Sequence, residues 1–259
     1  MSGDTGTVRF ERRGAIALVT FDRPAARNAM TWAMYEQLGD VLDAIDADAA
    51  IRVAVLRGAG GCFVAGTDIS QFAGFTTGDD GVAYERRLES VVARLERLRV
   101  PTIAVVEGHA MGGGLVLAAA CDLRLCSPDA RFGVPIARTV GNCLSMTNYA
   151  RLSMQLGVSR TKQLVFTAEA LTASEALARD FVLEVVQPAE LDGRVEARCA
   201  QLAAMAPVTL RVTREAIARI VAAVATEGDD LVRQAYGSHD FHEGVAAFIA
   251  RRAPRWEGR

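Results

Sequence analysis

Two glycine-rich turns are the segments of this chain best suited to chemistry. The first spans residues 58–68 and the second residues 107–114. Each follows an apolar stretch typical of a buried strand and leads toward a helix. Glycine lets the backbone approach a ligand closely, and the first N–H groups of a helix have no partner inside it, so such a turn can hold an anion. A single turn of this kind is more often explained by close packing.

Together, the two turns predict a more specific site than either turn alone. Main-chain N–H groups from two such junctions can point at one oxygen atom, which is the geometry of an oxyanion hole. Competing motifs are missing from the sequence. The glycines around residue 112 do not follow the spacing of a dinucleotide-binding loop, and the chain has neither a phosphate-binding loop nor a nucleophilic serine elbow.

The composition predicts a folded protein of one large domain, or of one domain with an appendage. Of the 259 residues, 51% are hydrophobic and 23% are charged, which is ample apolar material for a core. The formal net charge is −2, so no overall positive field exists to hold a polyanion. We therefore expect no nucleic acid among its partners.

The cysteines and the N-terminus indicate a cytoplasmic protein without membrane segments. The five cysteines are odd in number and form no CxxC pair, which argues against a disulfide framework and a zinc ribbon. Residues 1–13 lack the apolar region of a signal peptide, and the most apolar stretch, residues 110–121, is too short to span a bilayer. His239 and His242 favour a solvated helix end over a metal site, so we predict no metal.

Strand and helix patterns alternate through the first half of the chain, which predicts an α/β fold. The helix after residue 31 has Thr31 as its expected N-cap. From about residue 142 onward the pattern changes to helices. The composition of residues 74–81 predicts either a mobile lid or a surface loop. The expected strands are residues 8–11, 16–21, 51–57, 102–107 and 122–127, and the expected helices include residues 34–45, 84–98, 115–120, 210–224 and 240–252.

Several short motifs occur in a specific order over about residues 8–256. They are Arg23-Pro24 with Asn28-Ala29, the run from Phe63 to Asp68, the run from Gly108 to Gly114, Cys121-Asp122, the run from Phe132 to Pro135, and a tail from Ser238 to Pro254. In this order and at these intervals the chain resembles the enoyl-CoA hydratase/isomerase (crotonase) superfamily. The resemblance implies a spiral of strand-strand-helix turns over residues 1–200. It also implies a helical region, residues 201–259, that packs subunits into homotrimers or dimers of trimers.

The same resemblance implies an acyl-CoA site with no cofactor beyond the CoA moiety of the substrate. The backbone N–H groups of Thr67 and Gly113 would polarise the thioester carbonyl and stabilise an enolate. Arg23 and Arg27 would lie near the CoA phosphates, unless they are simply solvent-exposed. The loop at Ala65 would receive the adenine. Other residues expected at this site are Gly66, Asp68 and Gly112.

The sequence departs from the hydratases at their two proton-transferring glutamates. Val116 and Ile136 occupy those positions, and neither side chain can transfer a proton. We expect both to line a drier acyl pocket. Residues 136–152 contain no carboxylate, so hydration itself is unsupported and decarboxylase- or isomerase-like chemistry is expected. The alternative is a catalytically silent subunit that binds acyl-CoA.

Other groups could replace the missing glutamates, although each could equally have a purely structural role. The Cys143 thiol would be acidified by a helix N-terminus or would simply be packed. Asn142 would be a polar pocket residue or an N-cap. His109 would more readily pack at a strand end than act as a base, and Asp68 would cap its own helix. Three further residues could reach the acyl group without a defined position: Tyr84, Glu85 and Tyr149.

Overall fold

Two β-sheets are present in the computed structural model, which describes residues 5–259. Residues 1–4, the start of the expected first region, lie outside the described residues. The strands are β1 (Thr7–Arg13), β2 (Ile16–Asp22), β3 (Val53–Gly58), β4 (Thr102–Val106), β5 (His109–Met111), β6 (Leu123–Cys126), β7 (Arg131–Gly133), β8 (Leu171–Thr172) and β9 (Glu184–Val185).

The helices cover most of the rest of the described chain. They are α1 (Trp32–Ala47), α2 (Gly78–Arg97), α3 (Gly113–Ala120), α4 (Ile136–Thr139), α5 (Met146–Leu156), α6 (Val158–Phe166), α7 (Ala173–Leu177), α8 (Pro188–Ala203), α9 (Pro207–Val224), α10 (Asp229–Tyr236) and α11 (His239–Ile249). Among these helices, none combines the length and the apolar composition that a bilayer span requires.

The larger sheet has the strand order β1-β2-β3-β4-β6-β9. β1 and β2 form an antiparallel pair, and every later neighbour is parallel. The central strands β3 and β4 are apolar and almost completely buried, as expected of parallel strands that are covered on both faces. The α/β expectation is confirmed.

The smaller sheet, β5-β7-β8, lies close to the two glycine-rich turns. β5 pairs in parallel with β7, and β7 pairs antiparallel with β8. The three strands of this sheet and β9 of the larger sheet were missed in the sequence, which indicated only helices beyond residue 142. Each has two or three residues, so none carries an apolar alternation that could be seen in the sequence.

Helix α1 confirms the sequence-based expectation, whereas the start of α2 corrects one. The Thr31 side chain accepts a hydrogen bond from Met34 N at 3.2 Å, which is the expected N-cap. Residues 74–81 are not a free loop, because α2 already begins at Gly78. Its first turn is fixed by Asp80, whose carboxylate accepts hydrogen bonds from the N–H groups of Thr76 and Thr77, each at 2.8 Å.

The C-terminal part of the chain is helical, as the pattern predicted. The expected division at residue 200 stays a prediction, and that residue lies inside α8. Helix α9 is found where the apolar stripe indicated, and Val221 on it is buried. Other apolar residues of α9 are exposed, so much of this helix does not pack against the rest of the chain.

Candidate active site

The two glycine-rich turns lie directly against each other. Val64 N donates a hydrogen bond to the His109 carbonyl at 3.0 Å, and Met111 N donates to the Val64 carbonyl at 3.0 Å. A Cβ atom on Gly114 would lie 2.0 Å from the Val64 carbonyl oxygen, so this approach requires glycine. The backbone pairing brings the segments after Val64 and Met111 to one place.

The backbone of Thr67 is held in one orientation by Met30. Met30 N donates to the Gly66 carbonyl at 2.8 Å, and Asp68 N donates to the Met30 carbonyl at 2.9 Å. Gly66 has φ +113°, a conformation that residues with a side chain rarely adopt. Within residues 5–259 the Thr67 N–H has no hydrogen-bond acceptor.

The backbone of Gly113 is held by the residue before it and by the start of α3. Gly112 has φ +50° and donates its N–H to the Gly133 carbonyl at 2.9 Å. Gly113 is the first residue of α3, and its N–H also has no acceptor in the described part of the chain. A Cβ atom on Gly113 would lie 2.9 Å from Tyr35 Oη and 3.4 Å from Thr67 Oγ1, so the two turns are adjacent.

The Thr67 side chain is committed to a buried network of hydroxyl groups. Its Oγ1 is 2.8 Å from the hydroxyl of Tyr35 on α1 and 2.8 Å from the hydroxyl of Tyr84 on α2. Burial raises the pKa of both tyrosines, so both stay neutral. The hydroxyl of Thr67 therefore anchors the turn to two helices, while its amide stays unpaired.

A cavity of about 1140 Å³ opens beside the two turns. Most of the residues expected from the sequence line it. These are Arg23, Arg27, Ala65, Gly66, Thr67, Asp68, His109, Gly112, Gly113, Ile136 and Asn142. Three expected residues do not line it: Val116, Cys143 and Tyr149.

The placement of Val116 differs from the expectation of a pocket residue. Every residue of α3 is buried, and Val116 lies fully inside the core. Ile136 does line the cavity and is 8% exposed. Of the two positions that the resemblance aligns with the hydratase glutamates, one therefore lines the cavity with an apolar side chain, while the other belongs to the core.

The Cys143 thiol is not acidified. Burial, together with a smaller effect of the Glu85 charge, raises its pKa to about 12. The N-cap of α5 is Ser145, not Asn142, and its hydroxyl accepts a hydrogen bond from Asn148 N at 3.3 Å. Asn142 lines the cavity and donates from Nδ2 to the Tyr236 hydroxyl at 2.9 Å. Tyr149 is part of α5, and its hydroxyl accepts a hydrogen bond from Leu144 N at 3.5 Å.

The two arginines at the cavity differ in their partners. Arg23 Nη1 forms an ion pair with Asp68 at 2.7 Å and also donates to the Ala29 carbonyl at 3.1 Å. Asp68 accepts from Ser70 N at 3.0 Å as the N-cap of a short 3₁₀ helix, which confirms the capping prediction. Arg27 is exposed and has no ion pair within residues 5–259.

His109 is the first residue of β5 and lines the cavity. It is half-buried, and its backbone takes part in the pairing of the two turns. Its Nδ1 atom is buried without a hydrogen-bond partner in the described chain. No three His, Cys, Asp or Glu side chains of residues 5–259 come together in a way that could hold a metal ion.

Glu85 is one of the three residues that could not be positioned from the sequence. It lines the cavity from α2 and is 3% exposed. Its Oε1 accepts from the Tyr236 hydroxyl at 2.7 Å, and its Oε2 accepts from Ser145 N at 3.0 Å. Burial raises its pKa to about 7, and these two hydrogen bonds only partly oppose that rise. The sequence feature that could have identified Glu85 is its position among the buried residues of α2, next to Tyr84 and Leu88.

Comparison with known proteins identifies the family. A family model described as enoyl-CoA hydratase/isomerase matches residues 11–259. The short-chain-enoyl-CoA hydratase of Clostridium acetobutylicum is 34% identical over 255 residues, which cover 96% of this chain and 97% of that protein.

Solved structures show the same architecture. An enoyl-CoA hydratase/carnitine racemase from Magnetospirillum magneticum has 31% identity and a TM-score of 0.79, covering 97% of this chain and 96% of the other. Methylmalonyl-CoA decarboxylase in complex with 2-nitronate-propionyl-CoA has 25% identity and a TM-score of 0.88, covering 97% and 98%. The chain therefore belongs to the enoyl-CoA hydratase/isomerase family.

Proposed function

We propose that this protein is an enzyme that processes acyl-CoA thioesters through an enolate. The observation that carries the proposal is the pair of unpartnered amides, Thr67 N–H and Gly113 N–H, on adjacent turns beside one cavity. A thioester oxygen between them would accept two hydrogen bonds. Each donor of this kind lowers the barrier by roughly 3 kcal/mol, because it is already oriented toward the charge that develops on the oxygen.

The surroundings of the hole favour an anionic oxygen. Gly113 is at the N-terminus of α3, where the helix dipole is positive. The Thr67 hydroxyl is occupied by two tyrosines and does not compete for the substrate. Both donors are main-chain groups fixed by the pairing of the turns, so they need no rearrangement when charge develops.

The cavity also suits a CoA thioester in size and charge. Its volume of about 1140 Å³ is slightly larger than that of typical ligand pockets, which measure roughly 300–1000 Å³. Arg27 has an exposed guanidinium available for a phosphate, whereas Arg23 holds the turn through Asp68. We propose that the turn at Ala65 and Gly66 binds the adenine. No cofactor besides the CoA moiety is proposed.

The reaction is proposed to be a decarboxylation or an isomerisation, not a hydration. Among the relatives are proteins described as a short-chain-enoyl-CoA hydratase and as a methylmalonyl-CoA decarboxylase, so the family includes more than one reaction. Ile136 gives the cavity an apolar wall where the hydratases have a glutamate. An apolar wall does not activate a water molecule for addition. It therefore favours a reaction in which the enolate forms by loss of CO2 or by transfer of one proton.

Turnover of a substrate panel tests this proposal. The protein is incubated with crotonyl-CoA, malonyl-CoA, methylmalonyl-CoA and 3-hydroxybutyryl-CoA, and products are followed by mass spectrometry. Loss of CO2 or a shifted double bond without hydration supports the proposal. Hydration of crotonyl-CoA at ordinary hydratase rates contradicts the interpretation of Ile136. Tight binding without any product favours the silent acyl-CoA-binding subunit, for which Ile136→Glu would also stay inactive.

Substitution of Gly113 tests the oxyanion hole itself. In Gly113→Ala the new Cβ would lie 2.9 Å from Tyr35 Oη and 3.4 Å from Thr67 Oγ1, so either the hydroxyl network or the backbone of the turn must shift and the geometry of the hole changes. We expect turnover to fall by about 100-fold or more. The matched control is Gly193→Ala on α8, whose Cβ would meet no atom within 4 Å. Equal turnover in both variants would contradict the proposed hole.

The oligomeric state is proposed to be a homotrimer or a dimer of trimers in the cytoplasm, without nucleic-acid or membrane partners. An exposed apolar face on α9 supports an interface between subunits. Its large side chains are between 48% and 60% exposed: Val208, Val212, Ile217, Ile220 and Val224. Light scattering is expected to give three or six subunits. A monomer at micromolar concentration would contradict this proposal.

A further inference from the structure

We propose that Glu85 is the general acid–base group of this active site and moves the proton at the carbon next to the thioester carbonyl. The inference rests on the proposed function and deepens it, because it supplies the proton carrier that Val116 and Ile136 cannot be. It stands on the position of the side chain in the cavity and on the absence of a cation beside it.

The position of Glu85 follows from helix α2. Tyr84 and Glu85 are consecutive residues of this helix, and both line the cavity. The Tyr84 hydroxyl is 2.8 Å from Thr67 Oγ1, so this turn of α2 lies against the turn that carries the Thr67 amide. Glu85 therefore faces the cavity that receives the reacting end of the substrate.

The hydrogen bonds of Glu85 orient its carboxylate without neutralising it. Each oxygen accepts one hydrogen bond, from Tyr236 or from Ser145 N, and both donors are neutral. A carboxylate has about four acceptor positions, so lone pairs remain for the substrate. Within residues 5–259 Glu85 forms no ion pair. A buried acid of this kind can hold or release its proton near neutral pH.

The titratable groups packed directly around Glu85 are ion-paired or kept protonated. Glu89, one turn along α2, is ion-paired with Arg151. Burial raises the pKa of Cys143 to about 12 and keeps the neighbouring tyrosines protonated. These groups come from several elements: Tyr35 of α1, Tyr84 and Glu89 of α2, Cys143 before α5, Tyr149 of α5 and Tyr236 of α10. His109 lines the same cavity from β5.

The proposed step balances without an added reagent. The ionised Glu85 takes a proton from the carbon next to the carbonyl, and the electron pair of the broken C–H bond forms the enolate double bond. The carbonyl electron pair moves to the oxygen, where the amides of Thr67 and Gly113 hold it. Return of the proton restores the C–H bond. After a decarboxylation, the protonated Glu85 would instead supply the proton to the enolate carbon.

Hydrogen exchange in D2O tests this step separately from any net reaction. Butyryl-CoA is the probe, because it has neither a double bond nor a carboxylate to lose. We expect the unmodified protein to introduce deuterium next to the carbonyl, and Glu85→Gln to slow this exchange by about 100-fold or more. Butyryl-CoA binding is expected to change by less than about threefold, since Gln has nearly the same shape. Glu196→Gln, an exposed carboxylate on α8, is the matched control.

Two further variants keep the test decisive if Glu85→Gln folds poorly. Glu85→Asp retains an ionisable group and is expected to keep part of the exchange. The pH profile of the unmodified protein should rise to a plateau with a midpoint near the Glu85 pKa of about 7. Tyr236→Phe should move that midpoint upward, because the Tyr236 hydrogen bond lowers the Glu85 pKa.

The possible results separate this inference from the proposed function. Exchange that persists in Glu85→Gln at the unmodified rate overturns the role of Glu85 and leaves the oxyanion hole standing. Binding of butyryl-CoA without exchange by the unmodified protein also overturns the role of Glu85. Failure to bind any acyl-CoA overturns the proposed function and this inference together.

Discussion

Helix α2 carries two acidic sites, and they are stabilised in opposite ways. Glu89 and Glu96 surround Arg151 of α5, whose side chain is completely buried. Arg151 Nε donates to Glu96 at 2.6 Å, and Arg151 Nη2 donates to Glu89 at 3.1 Å. One turn earlier, Glu85 is buried as well, yet its partners are a tyrosine hydroxyl and a backbone amide.

The difference separates a structural acid from a reactive one. Burial makes an ionised carboxylate costly, and a nearby cation offsets that cost while a neutral donor offsets only part of it. The cluster of Glu89, Glu96 and Arg151 joins α2 to α5. Arg151 lowers the pKa of Glu89, although burial still holds that pKa above its ordinary value, and Glu89 does not line the cavity. Glu85 retains an unbalanced burial cost and lies at the cavity, where a group that changes protonation state is useful.

The largest effect is expected from removing the cation of this cluster. Arg151→Met leaves Glu89 and Glu96 without a charge partner, and we expect the free energy of unfolding to fall by roughly 3 to 5 kcal/mol. Urea denaturation measures it. Arg12→Met is the control, because Arg12 and Asp48 form an exposed pair that contributes at most about 1 kcal/mol. Equal losses in the two variants would show that the cluster is not a supporting contact.

A pH-dependent effect of up to about 3 kcal/mol is expected at Glu85. Its pKa is raised from 4.5 to about 7, so between these values the folded protein binds a proton that the unfolded chain has released. This contribution to stability decreases as pH rises from 4.5 to 7 and is constant above. Glu85→Gln lacks it, so the variant should gain stability relative to the unmodified protein over that interval.

Urea denaturation of both proteins at pH 5 and pH 8 measures this difference. The absolute stability of Glu85→Gln does not enter, because only the change with pH is compared. If the two proteins lose or gain stability in parallel between these values, Glu85 is not the buried, uncompensated acid described above.

A smaller effect is expected from the neutral donor to Glu85. Tyr236→Phe removes the hydroxyl that donates to Glu85 and accepts from Asn142 Nδ2, and should lower the free energy of unfolding by about 1 kcal/mol. Thermal and urea unfolding at pH 8 measure it. A loss as large as that of Arg151→Met would show that the two acidic sites are not held differently.

The sequence was most informative where the cause is local. The glycine-rich turns, the Thr31 cap and the alternation of strands and helices depend on residues close together in the chain. The Asp68 cap was predictable for the same reason. The start of α2 was missed because the glycines and polar residues at 74–81 resemble a loop, although Asp80 there fixes the first helical turn.

The chemistry of the site was less accessible from the sequence, because it depends on contacts between distant residues. Glu85 acquires its environment from Tyr236, 151 positions away, and from Ser145, 60 positions away. Cys143 stands just before a helix, so the sequence allowed either an acidified or a packed thiol, and in the fold burial raises its pKa. Val116 stands where the resemblance places a hydratase glutamate, yet on α3 its side chain is buried in the core.

A crystal structure with bound butyryl-CoA tests the central claim most directly. The proposal predicts a thioester oxygen about 3 Å from the amide nitrogens of both Thr67 and Gly113. It also predicts that the adjacent carbon faces the Glu85 carboxylate. A thioester bound elsewhere, or a carbonyl oxygen directed away from either amide, would contradict it.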